Sequence, residues 1–324
     1  MTPGSLRLGT RGSALALAQA ALAEAALAAA ASAGGAPQLK VERVVITTTG
    51  DRRVASEGDP IAPKGDGPGI ALEGDARGIF VREIEEALLS RAVDVAVHSL
   101  KDLPVDLPPG LVLAGVLERG DPRDAFCSRD GRTLDELPAG ASVATGSPRR
   151  AAQLGRIWGH LVFVPIRGNV DTRLRKVREG AADGVVLARA GLVRLGLAGA
   201  ITELIPLEVC LPAPGQGAIG LEARESDAGI AGLLARVTHP PTLAAVLAER
   251  AFLRRLGGGC RAPVAALGVG AEGGKLVLHG FVADPAGARF AASSAEGPAA
   301  DAEALGVRLA ERLLDEGAAE FMPG

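Results

Sequence analysis

The sequence predicts an α/β fold in three parts, and three observations support that reading. At 324 residues the chain is longer than one hydrophobic core usually serves. Strand-like apolar runs alternate with amphipathic helical periods as far as Ala188, the pattern of parallel sheets joined by crossover helices. Beyond His239-Pro240-Pro241 the pattern changes to a helix, a glycine loop, paired strands and a closing helix, which is the outline of a small α+β unit.

In order, residues 5–10 and 41–48 read as strands around a first helix that Ser13 opens. The alanine- and leucine-rich run after Arg7 and Arg11 superficially resembles a secretory signal. Gln19 and Glu24 interrupt it at helical spacing, so it is assigned as a surface helix of the folded protein. A Gly-, Asp- and Pro-rich loop follows over 50–77, long enough to be functional. "GIFVREIEEALLSR" has apolar residues at 79, 80, 84, 87 and 88, the stripe of an amphipathic helix, and "VDVAVHSL" is a buried strand ending at Lys101-Asp102. A second α/β unit comprises strand 141–145, a helix from 148, strand 161–166, helix 170–179 and strand 184–188. "LPAPGQGAIGLEAR" then returns the chain to the first unit. Helix 242–256, strands near 264–269 and 275–283 joined at Gly273-Gly274, and a helix near 299–316 complete the third part.

Composition narrows the function. With 35 basic against 38 acidic side chains there is no global positive excess, and 7 Phe, 1 Trp and no Tyr leave little to stack nucleobases. Nucleic acid and membrane surface are therefore not expected as partners. The 3 cysteines, at 127, 210 and 260, have neither disulfide-framework nor zinc-ligand spacing, so no metal is expected and a reducing, cytoplasmic setting fits.

Positive charge is concentrated locally instead. Residues 145–194 hold nine arginines and one lysine against three acids, and guanidinium forks pair bidentately with carboxylates or phosphates. Ser147-Pro148 is an N-cap and first-turn pair, which places Arg149 and Arg150 where the helix dipole disfavours cations by about 0.3–1 kcal/mol each. Two such charges imply an anion nearby. Arg167 and Arg11 each follow a strand, at the edge where open α/β sheets bind ligands, and Lys101-Asp102 occupies the corresponding edge of the first unit. A carboxylate there suits proton transfer or the stabilisation of a developing cation. His98 reads as packed rather than catalytic. Cys260, in "LGGGCRAP", is either a small buried hydrophobe or a thiol whose glycine flank admits a bulky group and whose neighbours Arg254, Arg255 and Arg261 favour thiolate.

The motifs "RLGTRGSALALAQA", "GIFVREIEEALLSRAVDVAVHSLKDLP", "DPRDAF", "VATGSPRRAAQL", "IRGNVDTRL", "AGLVRLGL", "LPAPGQGAIG" and "LGGGCRAPVAA" together resemble the porphobilinogen deaminase, or hydroxymethylbilane synthase, family, in its order and over nearly the whole chain. The resemblance implies a transferase that joins four porphobilinogens head to tail into linear 1-hydroxymethylbilane, losing ammonia at each addition. It implies a dipyrromethane cofactor on a thioether to Cys260, porphobilinogen and oligopyrrole intermediates as partners, and a monomer.

It also implies two α/β domains of the type II periplasmic-binding-protein kind with a cleft between them, and a small α+β third domain. The expected divisions are 1–117 with 218–236, 118–217, and 237–324. By motif position Asp102 is the catalytic residue. Lys101, Asp102, Thr145, Ser147, Arg149, Arg150 and Gln216 contact the cofactor, and Arg11, Ser13, Arg149, Arg150, Arg167, Arg173 and Arg194 hold substrate carboxylates. Two rivals remain at this stage: a binding module for a small anion without catalysis, and a cysteine-nucleophile enzyme using His239 or His279 as base.

Overall fold

A computed structural model describes residues 4–33, 39–50, 81–257 and 263–322. The expected loop over 50–77 falls almost wholly outside these residues, and Cys260 lies outside them. The chain divides into two compact units.

The first unit takes the described residues up to 50 together with 81–120 and 217–243. Its sheet contains β1 (Ser5–Arg11), β2 (Lys40–Ile46), β3 (Val95–Ser99), β4 (Leu111–Val116) and, from far along the chain, β10 (Ile219–Arg224). The order is β2-β1-β3-β10-β4. β1 runs parallel to both neighbours, and β10 is antiparallel to β3, with Ile219 opposite Ser99. The expected return of "AIGLEAR" to the first unit is thus β10, filling the place between β3 and β4.

One face of this sheet carries α1 (Ala14–Ala33) and α6 (Ala228–Val237), and the other α2 (Arg82–Leu89). α1 buries Ala16, Gln19, Ala20, Ala23, Leu27 and Ala31, a stripe at helical spacing that packs on Leu6, Leu8, Val95 and Val97. Fully buried leucines such as Leu6, Leu8 and Leu27 contribute roughly 1.5–3 kcal/mol each.

The 20-residue α1 is long and apolar enough by composition to cross a membrane. Its apolar stripe is nevertheless spent on the sheet. Gln19 does not interrupt an exposed face: it is buried, and its Nε2 donates to Ser99 Oγ at 2.8 Å.

The second unit takes 121–216 and the described residues from 244 onward. Its first sheet has β5 (Asp124–Ser128), β6 (Ser142–Ala144), β7 (Val162–Val164), β8 (Gly184–Ala188) and β9 (Glu203–Leu204), ordered β7-β6-β8-β5-β9. β6 is parallel to β7 and β8, whereas β5 is antiparallel to β8 and β9. This is the pattern of the first sheet again, with β5 in the place of β10. Helices α3 (Pro148–Ile157), α4 (Val170–Arg178) and α5 (Arg189–Arg194) join its strands.

The same unit holds an antiparallel sheet of β11 (Val264–Ala271), β12 (Lys275–Ala283) and β13 (Phe290–Pro298). α7 (Pro240–Arg255) and α8 (Ala302–Asp315) cover it. The β11–β12 connection turns through Gly273 and Gly274 at φ 69° and 71°, left-handed values that suit glycine. α7 and α8 approach so closely that a Cβ at Gly306 would stand 2.8 Å from the Phe252 nitrogen. This sheet also docks on α3. The Arg156 guanidinium lies 3.2 Å from the centre of the Phe290 ring, and a Cβ at Gly287 would meet Ala152 Cα at 2.9 Å.

Candidate active site

In the first unit, the site begins where β3 ends and the chain makes one 3₁₀ turn, Leu100–Asp102. Leu100 is buried and pegs the turn: its N–H donates to the Ala218 carbonyl at 3.1 Å, and its carbonyl accepts from Leu103 N–H at 3.2 Å. The peg needs Gly220, because a Cβ there would come within 2.8 Å of Leu100 Cδ1. Lys101 and Asp102 therefore project, half-buried, from a fixed backbone. The Asp102 carboxylate takes no protein partner among the described residues.

Arg11 closes the parallel neighbour β1, so it stands at the same sheet edge as Lys101-Asp102. Ser13 follows it as the cap of α1, its Oγ accepting from Ala16 N–H at 3.3 Å. Behind the turn, His98 is packed as expected, its Nε2 2.9 Å from Glu222 Oε2 with both side chains buried. Nearby Glu85 is pushed up to about 7, first by burial and then by the charge of Glu222, with His98 opposing.

In the second unit the turn between β6 and α3 is the centre. Thr145 is fully buried, and its Oγ1 accepts from Ser147 N–H at 3.2 Å. Ser147 caps α3, its Oγ accepting from Arg150 N–H at 3.4 Å, with Pro148 in the first turn.

The anion that Arg149 and Arg150 demand is first of all internal. Arg149 Nη2 reaches Asp124 Oδ2 at 2.8 Å, and Arg150 donates to Oδ1 from Nε at 3.0 Å and from Nη2 at 2.7 Å. Gln216 Nε2 joins them, 2.8 Å from Asp124 Oδ1 and 2.7 Å from the Pro122 carbonyl. Burial alone would raise the Asp124 pKa, but the two guanidiniums overcome it and hold the carboxyl well below its usual range. Among the described residues, two cations against one anion leave a buried net positive charge, and Arg149 Nε is buried with no hydrogen-bond partner.

Arg167 and Arg173 converge on the same turn. A Cβ at Gly146 would stand 3.4 Å from Arg167 Nη1 and 3.8 Å from Arg173 Nη1, besides 2.9 Å from the Ile166 carbonyl. Arg173 is held by Nε donation to the Gly168 carbonyl at 2.7 Å, and Gly168 has φ 109°. Arg194 ends α5, half-buried, and burial lowers its pKa.

Thr145, Ser147, Arg149, Arg150, Arg167, Arg173 and Gln216 therefore gather at one helix N-terminus, and Arg11, Ser13, Lys101 and Asp102 at one sheet edge. The sequence did not single out Asp124. Its only signal is an acid that opens an apolar strand in "DPRDAF". Cys127 and Cys210 are buried thiols that burial pushes up to about 12. Among the described residues, no group of three or more His, Cys, Asp or Glu side chains is set to hold a metal.

A helix N-terminus ringed by guanidiniums, on an α/β sheet, has the donors and the charge to bind a multiply carboxylated ligand. The comparisons narrow that class. Residues 6–232 match the family described as "Porphobilinogen deaminase, dipyromethane cofactor binding domain", and residues 243–315 match its C-terminal domain. The porphobilinogen deaminase of Desulforudis audaxviator is 49% identical over 97% of this chain and 96% of its own. That of Roseiflexus castenholzii is 48% identical over 99% of both. Among solved structures, the methionine-binding protein MetQ aligns with 72% of this chain and 89% of its own at 17% identity and a TM-score of 0.43. This chain belongs to the porphobilinogen deaminase family.

The family's cofactor is a dipyrromethane, and the residues present fit it. Carboxylate side arms match the buried excess charge at Arg149 and Arg150, the unpartnered Arg149 Nε, and the guanidiniums of Arg167 and Arg173 beside the α3 N-terminus.

Proposed function

We propose that the protein is a transferase that polymerises four porphobilinogens into 1-hydroxymethylbilane with release of ammonia, primed by a dipyrromethane on Cys260. When bound, the dipyrromethane would supply the free pyrrole α-carbon to which the first unit is joined, each later unit joining the terminal pyrrole of the growing chain. The proposed division assigns Asp102 to 1–117 with 218–236, the arginines to 118–217, and Cys260 to 237–324. Elimination supports Cys260: Cys127 and Cys210 are buried, and pKa values near 12 leave them almost no thiolate at neutral pH.

The observation that carries the catalytic reading is a carboxylate on a pegged turn that takes no partner among the described residues. In each addition the substrate's aminomethyl C–N bond breaks, ammonia leaves, and positive charge spreads over the pyrrole ring and its N–H. A new C–C bond then forms, and the attacked position's α-hydrogen is lost as a proton. Asp102, with no partner among the described residues to satisfy, is available to accept the pyrrole N–H and to move that proton.

Lys101 and Arg11 stand beside it at the same edge to receive carboxylates of the incoming unit, and Ser13 fixes the backbone between Arg11 and α1. In the second unit Arg149, Arg150, Arg167, Arg173 and Arg194 neutralise acetate and propionate arms. Thr145, Ser147 and Gln216 hold the turn and the Asp124 cluster that aim them.

Packing of the apolar α1 stripe on its own sheet favours a cytoplasmic location, and a monomer is the proposed state. The test is Asp102→Ala. Turnover is expected to fall at least ~100-fold while the covalently bound cofactor remains in the mass spectrum. Wild-type turnover in that variant removes Asp102 from the mechanism.

A further inference from the structure

A fully buried carboxylate remains that the proposed chemistry does not use. Glu249 lies on α7, the helix that the sequence continues into the Cys260 segment, and its side chain is completely inaccessible. Its two oxygens serve two separate stretches of backbone. Oε2 accepts from Gly215 N–H at 2.6 Å and Oε1 from Gly268 N–H at 2.8 Å. α7 is thereby clamped on one side to the 212–216 segment and on the other to β11. The second contact is as close as backbone permits, since a Cβ at Gly268 would lie 2.8 Å from Ala245 Cα.

The clamp does not end at Gly215. The next residue, Gln216, donates its amide to Asp124 and to the Pro122 carbonyl, and Asp124 holds Arg149 and Arg150. A parallel tie runs from Arg149 Nη1 to the Leu211 carbonyl at 2.6 Å, and Gln153 pairs with the backbone of the same residue. From Glu249 to the first turn of α3, the links are the Gly215–Gln216 peptide bond and hydrogen bonds between buried groups or to the backbone beside them. On the far side, the contacts of Phe290 with Arg156 and of Gly287 with Ala152 fix the antiparallel sheet to the body of α3.

We propose that Glu249 is a positioning residue: it fixes α7, and so the origin of the Cys260 segment, relative to the arginines at the α3 N-terminus. Its contacts with Gly215 and Gly268 are to backbone N–H groups. Its effect on cofactor assembly is transmitted through Gly215, Gln216 and Asp124. The proposal rests on the reading of Cys260 as the attachment residue.

Glu249→Gln keeps the size of the side chain but turns one acceptor into an N–H₂ group facing a backbone N–H, so one of the two clamps is lost. The full-length apoprotein of each variant is incubated with porphobilinogen and its intact mass followed with time. Hydrogen exchange at Gly215 and Gly268 is recorded alongside.

Glu249→Gln is expected to gain the two-pyrrole mass at least ~10-fold more slowly, with faster exchange at Gly215 or Gly268. Leu309→Ala, which hollows the core under the same antiparallel sheet without removing any hydrogen bond of the path, is expected to gain it at the wild-type rate. A folded Glu249→Gln protein that matches the wild type in both readouts overturns the proposal, as does an equal slowing in Leu309→Ala.

Should Glu249→Gln not fold, Gln216→Leu cuts the next link while leaving Glu249 in place. Slow assembly there supports the path, and wild-type assembly refutes it. Cys260→Ser separates the two layers of the account. Mass gain in that variant defeats the attachment reading, whereas no gain there with wild-type rates in the Glu249 and Gln216 variants defeats only the positioning role.

Discussion

Asp124→Asn is the perturbation whose cost can be worked out most fully. The aspartate has no accessible surface and receives five side-chain hydrogen bonds, three from Arg149 and Arg150, one from Gln216 and a long one from the Cys210 thiol. The amide preserves the shape but removes the only carboxylate among the described residues that is paired with either guanidinium, leaving two charges of about 5% exposure without that counter-ion. Breaking a buried pair on one side costs about 3–5 kcal/mol, a fifth or more of a typical total stability of about 5–15 kcal/mol.

The single tryptophan reports this loss locally, because Trp158 is buried in the core beneath the same sheet with its Nε1 2.7 Å from Asp135 Oδ1. In urea, the Trp158 fluorescence transition should move down by about 3–5 kcal/mol, and the melting temperature by roughly 6–20 °C. The sign with pH is also determined. A carboxyl held below its usual value stabilises the fold above that value and loses the contribution as pH falls through the lowered one. The gap between wild type and Asp124→Asn should therefore be constant from about pH 5 to 8 and close only in stronger acid. A loss below about 1 kcal/mol would refute the reasoning, since it would mean that the arginines do not depend on Asp124.

Glu85 gives the opposite pH dependence. Its carboxyl titrates near 7 instead of 4.5, so the native state holds an extra proton between those values and stability declines as pH rises across that window. Glu85→Gln should match the wild type near pH 5 and melt a few degrees higher at pH 8. After discounting for its half-exposed position this is about 1 kcal/mol, and an identical difference at both pH values would contradict it. Gly146→Ala sets a methyl group 2.9 Å from the Ile166 carbonyl and against two guanidiniums. The turn must shift, which should cost about 1–3 kcal/mol and raise KM for porphobilinogen, measured by steady-state kinetics; an unchanged KM would show that the turn does not seat the substrate.

The sequence made local features legible and long-range ones obscure. The caps at Ser13 and Ser147, the Gly273-Gly274 connection and the buried strand before Lys101 each depend on residues within a few positions of one another, and all are present. β13 was not foreseen because "FAASSAEGP" offers no contrast between apolar and polar residues; it is a strand because β12 pairs with it along its whole length. β4 and β5 were passed over as well, since short apolar runs do not declare their partners.

In the site, the clustering of arginine and the strand-end aspartate could be read directly. The carboxylate that organises Arg149 and Arg150 could not, because Asp124 lies 25 residues upstream in an unrelated strand and meets them only once the sheet has formed. Glu249 was similarly hidden: in "ERAFLRRL" it resembles a solvated helical face, and only the fold brings Gly215 and Gly268 to it.

The central claim, that this chain carries its primer on Cys260, is tested most directly by the intact mass of the purified protein. The account predicts an excess over the polypeptide equal to two linked pyrrole units, absent from Cys260→Ser and retained in Cys127→Ser and Cys210→Ser. An unmodified mass in active protein, or an excess that survives Cys260→Ser, would contradict it.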